Sequence, residues 1–390
     1  MKTITEKLSP DLLQYPIEAI GPLEDILFVD IETTGFSARS SVLYMIGCVY
    51  FEDGQPVLKQ FFAPSPGSEE GVLSAFLTLC RTKKILIHYN GNNFDLPFLK
   101  HKCSTYGFRE PFSEMEGVDI YKRVMPYKRI LGVDNLKQKT MERFLSINRE
   151  DAYDGGELIN VYREYVTANT LQEKQKAAGI APTAAEEKRL SSMLELLLLH
   201  NADDMRGMIR LLDLLSYSDI FLTPMRITKV SARKITDPDG NLHESLVIRL
   251  RLPSALPKPL TVTSGSCHFT GEGTDGAIEV PVYLGDLKYF YGNYKEYYYL
   301  PDEDMALHKS VASYVSPDHR EQATAKNCYT RKEGSFLPQW DLVFEPVFRP
   351  SYGSSQLYFE LTDEMKTRPE DFRQYAYHVL DYLFHEKIRS

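Results

Sequence analysis

Short apolar runs alternate with turn signals and with stretches of helical spacing through the first half of the chain. Ile26 to Ile31 (ILFVDI) is apolar except for Asp30, and reads as a buried strand whose carboxyl end presents Asp30 and Glu32. Thr33-Thr34-Gly35 then turns the chain, and Val42 to Phe51 (VLYMIGCVYF) reads as a second strand. Asp53-Gly54 is a hairpin signal, so Pro56 to Phe62 is expected to pair back as a third strand. Gly71 to Cys80 has helical spacing and is followed by the strand Lys84 to Tyr89 (KILIHY). Asn90-Gly91-Asn92-Asn93 turns into a helix running from about Phe94 to Tyr106. Three antiparallel strands, a helix, a strand and a helix predict an α/β sheet rather than a bundle or a sandwich.

From Val118 to Leu215 the pattern is mostly helical. Leu171 to Ser192 is polar, rich in Ala, Glu and Lys, and interrupted by Gly179 and Pro182, which predicts a mobile helical excursion. Met193 to Ser216 reads as one long helix. After Phe221 the texture changes: Arg226 to Leu252 alternates as strands do, Asp237-Pro238-Asp239-Gly240 is a turn signal, and Pro369 to Ile388 closes the chain as a helix. The expected division is therefore 1–222, with an α/β core at about 24–215, and 223–390, a smaller β-rich α+β domain.

Composition narrows the classes without choosing among them. The 390 residues are 43% hydrophobic and 25% charged, which excludes wholesale disorder and collagen-like repeats. There is no apolar run of the ~18 residues that a membrane-spanning helix needs, and the first residues lack an apolar signal core. The five Cys (48, 80, 103, 267 and 328) have neither a CxxC nor a zinc-like spacing, so reduced thiols in a cytoplasmic protein are expected. A net charge of −9 argues against a whole-surface nucleic-acid binder, although Tyr121 to Arg143 carries seven basic residues against two acidic ones.

Four separated segments each offer a carboxylate where a site at the sheet edge would use it. Asp30 and Glu32 are two apart on one strand and so project from the same face. Asp95 opens a helix, and Asp204 lies one turn beyond His200 on the same helical face. Like-charged carboxylates repel and resist burial, so a cluster of four calls for cations, and hard ions such as Mg2+ or Mn2+ prefer oxygen ligands.

In this order, Asp30-Ile-Glu32-Thr-Thr-Gly35, Asn90-x3-Phe94-Asp95 and His200-x3-Asp204 resemble the three exonuclease motifs of the DEDD superfamily of 3′–5′ exonucleases, which have a ribonuclease H-like fold. HYNGNNFDLPFL and LLLHNADDMRGMIRLL resemble more particularly its YprB-like branch. The resemblance covers roughly residues 24–215. It implies a mixed sheet flanked by helices, with Asp30, Glu32, Asp95 and Asp204 holding two Mg2+ or Mn2+ ions and His200 as the base. The implied activity is hydrolysis of single-stranded DNA or RNA from a 3′ end to nucleoside 5′-monophosphates. Thr33, Thr34, Gly35, Asn90 and Phe94 would border the terminal nucleotide. The third motif departs from the superfamily's usual Tyr-x3-Asp or His-x4-Asp. His200 therefore combines the residue of one subtype with the spacing of the other, and imidazole remains a competent base near neutrality. The alternative is a nucleic-acid-binding or scaffolding protein that keeps the fold without useful turnover.

Plainer roles stand beside these. Asp95 is placed to cap its own helix, with Pro97 in the first turn. His200 fits a partly buried structural histidine, and Asp119 a hydrogen-bonding one. The basic segment fits a solvated helix face. Seven of the 25 Tyr fall between Tyr283 and Tyr299. Such rings interleaved with Lys stack bases in some proteins, but Tyr also fills half-buried sheets, and packing is the expectation here. Trp340 is expected in the core.

Overall fold

Six strands form the sheet of the N-terminal unit, in the order β1-β4-β3-β2-β5-β6. They are β1 (Lys2–Lys7), β2 (Ile26–Thr33), β3 (Leu43–Glu52), β4 (Gln55–Phe62), β5 (Ile85–His88) and β6 (Glu116–Asp119). The helices of this unit are α1 (Glu69–Cys80), α2 (Asp95–Tyr106), α3 (Ile120–Val124), α4 (Lys128–Leu131), α5 (Gln138–Phe144), α6 (Gly155–Ala177) and α7 (Ala184–Leu211), with α8 (Leu215–Leu222) following. This computed structural model describes residues 1–151, 153, 155–236 and 242–389, and the chain divides into two units, Met1–Asp219 and Ile220–Ser390.

The expected hairpins are present: β2 pairs antiparallel with β3, and β3 with β4, while β5 lies parallel to β2. Two strands lie outside the sequence reading. β1, KTITEK, is an edge strand with almost no buried residues, so it lacks the apolar signal of a core strand. β6 is only four residues long.

The period of β2 assigns its two faces. Leu27, Val29 and Ile31 pack with Val72, Leu73 and Phe76 of α1 and Leu99 of α2. Asp30 and Glu32 alternate to the other face, where Met45 and Phe62 of the neighbouring strands meet Leu158, Tyr162 and Leu197 of α6 and α7. The Leu171 to Ser192 stretch is helical except for residues 178–183, where Gly179 takes a φ of +76°. Its Ala, Glu and Lys content favours helix, and Thr183 and Glu186 form a reciprocal capping box that starts α7. The long helix thus begins at Ala184 and ends at Leu211, not at Met193 and Ser216.

One register position fixes how closely α7 approaches the sheet. Asp30, Gly47 and Gln60 lie side by side across β2, β3 and β4. Asn201 of α7 sits over the glycine, donating to Asp30 Oδ2 at 3.0 Å and accepting from Gln60 Nε2 at 3.0 Å. A Cβ on Gly47 would lie 2.1 Å from Asn201 Oδ1.

The C-terminal unit is β-rich and antiparallel. Its strands are β7 (Arg226–Thr236), β8 (Leu242–Ser264), β9 (Cys267–Phe290), β10 (Tyr297–Leu300), β11 (Met305–His308), β12 (Glu321–Gln322), β13 (Tyr329–Gln339) and β14 (Leu357–Glu360). Five form a sheet ordered β14-β13-β9-β8-β7, and β11-β10-β12 form a small second one. The short helices α9 (Lys309–Ala312) and α10 (Asp363–Lys366) precede the closing helix α11 (Pro369–Arg389), which buries Tyr375, Val379, Leu380, Leu383 and Phe384. The turn expected at Asp237–Gly240 lies outside the described residues. Tyr291 and Tyr297 stack at 4.5 Å and pack against Ala306, Ala323 and Cys328, in line with packing as the main use of the Tyr-rich segment. Trp340 departs from expectation: it is half-buried and stacks on Tyr382 at 3.7 Å, so it is not a core residue. All five cysteines are buried free thiols. No helix among the described residues is long and apolar enough to cross a membrane.

Replacing Gly47 by Ala is expected to lower stability by roughly 1–3 kcal/mol, the usual cost of overpacking. The measurement is the urea midpoint of the variant, and adding Asn201→Ala should recover part of the loss by clearing the clash.

Candidate functional site

The four carboxylates reach one corner of the sheet from three elements. Asp30 and Glu32 come from the end of β2, where a bulge between Glu32 and Thr33 breaks the β3 register. Asp95 is the first residue of α2, and Asp204 lies on α7. Burial raises the carboxyl groups of Asp30 and Glu32 well above their ordinary range, and repulsion from Asp204 and Asp95 adds to the shift. Burial also pushes Asp95 up to about 6. The plainer helix-capping role is only partly present. Phe94 is the cap residue and makes no side-chain bond, while the Asp95 carboxyl is partly lowered again by its own backbone N–H at the helix start, and Asp95 Oδ1 accepts from the Ile31 backbone N–H at 3.2 Å. That bond ties the start of α2 to β2 between the two strand acids.

His200 is 4% exposed and turns its two nitrogens to different partners. Nε2 faces the acids, 3.3 Å from Asp204 Oδ2 and 3.7 Å from Glu32 Oε1. Nδ1 meets Asp151 Oδ2 at 2.5 Å. Asp151 was not among the residues the sequence pointed to. Its side chain is fully buried. Burial opposes its ionisation, but the Tyr153 N–H and the His200 ring hold its carboxyl below the usual range. The loop carrying it is anchored by Asp203, whose Oδ2 accepts from the N–H groups of Glu150 and Asp151 at 2.8 and 2.9 Å. The adjacent pair Asp203-Asp204 thus divides its work: Asp203 holds the loop, and Asp204 joins the acids.

Arg149, on the same loop, is the other residue the sequence did not single out. Its Nη1 donates to both oxygens of the buried Glu142, at 3.1 and 2.9 Å, and its Nη2 forms an ion pair with Asp204 Oδ1 at 2.8 Å. Gly207 makes room for this arrangement, since a Cβ there would lie 2.1 Å from Glu142 Oε1. A glycine inside a long helix is the one sequence feature from which a close approach here could have been read.

The residues expected around a terminal nucleotide divide into turn-builders and an open ring. Thr33 Oγ1 donates to the Gly35 carbonyl at 2.9 Å, Thr34 Oγ1 accepts from the Val42 N–H at 2.9 Å, and a Cβ on Gly35 would press on Ser41 Oγ. Asn90 takes a φ of +61°, its N–H donating to Asp119 Oδ1 at 3.0 Å and its side chain accepting from Asn93. Asp119 has the hydrogen-bonding role expected of it and also caps α3. Phe94 is half-buried, and its ring meets edge-on that of Phe36, which is 93% exposed.

The donor set fits a hard divalent cation. One ligand atom each from Glu32, His200 and Asp204 lie within 4.8 Å of one another. The acids beside them are held up in pKa by burial and mutual repulsion, both of which a bound cation relieves.

The cost of burying the Asp95 charge, with repulsion adding to it, is testable without any metal. Asp95 has a folded pKa of about 6 against an ordinary 3.8, so its contribution to stability is present below about pH 4 and lost as pH rises through 6. In EDTA, Asp95→Asn, which keeps an oxygen for the Ile31 N–H, should raise the unfolding free energy at pH 8 by roughly 1–3 kcal/mol. Near pH 4 the variant should match the parent, and the check is urea unfolding at the two pH values.

A family model described as the RNase_H superfamily matches residues 27–216. No curated protein matches the chain. Among solved structures, the chain is similar to the family B DNA polymerase of Pyrobaculum calidifontis at 14% identity and a TM-score of 0.31, covering 69% of this chain and 34% of the polymerase. It is similar to E. coli exonuclease I in complex with a dA16 oligonucleotide at 12% identity and a TM-score of 0.27, covering 59% of this chain and 55% of that one. The chain thus spans about a third of the first structure and about half of the second. The mixed sheet with helices on both faces, in the stretch that the family model matches, is a ribonuclease H-like fold.

Proposed function

We propose that the N-terminal unit is a metal-dependent 3′–5′ exonuclease of the YprB-like branch, hydrolysing phosphodiester bonds of single-stranded DNA or RNA to nucleoside 5′-monophosphates. The observation that carries this reading is the convergence of Asp30, Glu32, Asp95 and Asp204 on one corner, with His200 Nε2 directed at Glu32 and Asp204. Those four carboxylates would hold two Mg2+ or Mn2+ ions, which supply charge neutralisation at the phosphate and activation of water when bound.

The chain's own residues do the rest. His200 Nε2 takes the proton of the attacking water as the new oxygen–phosphorus bond forms and the bond to the 3′-oxygen breaks, the departing oxygen taking a proton from solvent to end the shortened strand in a 3′-hydroxyl. Asp151 accepts from Nδ1–H, keeping Nε2 free as the acceptor. The turn built by Thr33, Thr34 and Gly35 and the turn at Asn90 border the terminal nucleotide. The Phe94 ring, with Phe36 at its edge, offers a surface for its base. The basic segment Tyr121 to Arg143 meets phosphates further along the strand. Residues 223–390 act as a companion domain to this nuclease domain at 1–222.

One observation favours the alternative of binding without turnover. Arg149 sets a fixed positive charge against Asp204, where a catalytic cation would compete with it.

Incubation with 5′-labelled single-stranded DNA and RNA plus Mn2+ separates the two readings. The expected result is a ladder shortening from the 3′ end, abolished by Glu32→Ala. An intact oligonucleotide that is nevertheless shifted on a gel would establish the alternative. His200→Ala is expected to lower the rate on the order of 10²–10⁴-fold, the usual range for loss of a general base. Asp151→Asn should lower kcat by roughly 10–100-fold with KM little changed, as loss of an orienting partner does.

A further inference from the structure

The C-terminal unit carries a row of basic side chains that its sheet register creates. Arg331 of β13 is directly opposite Lys288 of β9, and Lys288 is bridged on its other side to Arg349, with backbone bonds of 2.9 Å in both directions. Directly opposed residues of an antiparallel pair project to the same face, so three cations lie side by side, an arrangement that costs stability when nothing neutralises it. Asp304 lies 3.5 Å from Arg331 and has its carboxyl lowered by the Tyr299 and Tyr329 hydroxyls and then by the charges of both Lys288 and Arg331, while Lys288 Nζ sits 4.0 Å from the centre of the Tyr329 ring. Arg349 has no ion-pair partner among the described residues.

Two positions along the same face, the row changes from basic to aromatic. Tyr329 is opposite Phe290 with ring centres 5.3 Å apart, and Tyr352, 45% exposed, meets Phe290 from the other side at 5.5 Å. Phe290, Tyr352 and Arg349 together line a cavity of about 690 Å³, with Tyr289, Tyr291 and Tyr294 completing its aromatic wall. Glu345 is the acid in that lining. The next row in the opposite direction, Glu333 opposite Asp286, is acidic and confines the positive strip to one register.

We infer that this face binds single-stranded nucleic acid, with bases stacking on Tyr352 and Phe290 and phosphates lying along Lys288 and Arg349. Rings beside a line of cations match such a strand, which presents a flat face and an anion at every residue. A proline-rich peptide would use the rings and leave Arg349 without an anion. The choice of nucleic acid over other polyanions rests on the nuclease reading of the N-terminal unit, and the binding itself needs no cleavage.

The test is fluorescence anisotropy of 5′-labelled oligo-dT with the full chain in EDTA at about 50 mM salt, where electrostatic binding is strong. Wild type should bind. Tyr352→Ala should weaken binding roughly 5- to 100-fold, the equivalent of one stacking contact. Tyr352→Phe should bind as wild type, and both variants should melt as wild type does. Arg349→Ser and Lys288→Ser should each weaken binding and reduce the slope of log affinity against log salt by about 0.7. Unchanged affinity in Tyr352→Ala and Arg349→Ser, no binding at low salt, or displacement by a decaproline peptide but not by unlabelled oligo-dT would overturn the inference. Digestion by a protein whose Tyr352→Ala and Arg349→Ser variants bind normally would leave the nuclease reading standing and remove this one. Loss of binding in those variants of a protein that never digests would do the reverse.

Discussion

Four carboxylates in one buried corner repel one another, and the N-terminal unit accommodates them by giving each a different partner. Asn201 donates to Asp30, the Ile31 N–H to Asp95, and Arg149 pairs with Asp204, while the Tyr44 hydroxyl stands 3.5 Å from Glu32. None of these partners is itself an acid, and each is fixed by its own packing. The Ile31 N–H belongs to the strand, Asn201 lies over Gly47, and Arg149 is held by Glu142. The cost that remains, burial first and repulsion second, shows as raised carboxyl groups at Asp30, Glu32 and Asp95. A corner that retains unfavourable charge after so much bracing is the kind of place where function outweighs stability.

The bracing also sets how close the layers come. Gly47 lets α7 descend onto the sheet, and Gly207 lets Glu142 of α5 approach α7. Both glycines are needed for space and not for backbone conformation. The loop between α5 and α6 is then clamped from two directions, by Asp203 at the backbone of Glu150 and Asp151 and by Glu142 at the Arg149 guanidinium. A loop held this firmly positions a side chain as well as a helix would, which is why the Asp151 carboxylate meets His200 so squarely.

In the C-terminal unit, long-range register organises the surface. The 24-residue β9 serves as partner to both β8 and β13, so residues far apart in sequence fall into rows across its faces. Buried rows are apolar, as with Leu287, Phe336 and Phe348. On the face that carries Lys288 the rows run aromatic, basic and acidic in turn, with Tyr329 of the aromatic row buried. Tyrosine serves both kinds of row because its ring packs while its hydroxyl finds a partner, as when Tyr299 donates to Asp304 at 2.6 Å.

Local periodicity made much of this molecule legible. A period of two placed Asp30 and Glu32 on one face, a spacing of four placed His200 and Asp204 on one helical stripe, and the turn at Asn90 put Asp95 at a helix start. Apolar runs revealed β2 to β5 because a buried strand must be apolar. The edge strand β1 and the four-residue β6 carry too little buried surface to leave such a trace. Asp151 and Arg149 lie on an aperiodic loop, and only the folded chain brings them beside residues some fifty positions away. The bond Asp95 makes to Ile31, the fit of Asn201 over Gly47, and the alignment of Arg331, Lys288 and Arg349 are likewise decided by packing and strand register. Those depend on which distant segments become neighbours, and no local pattern encodes that.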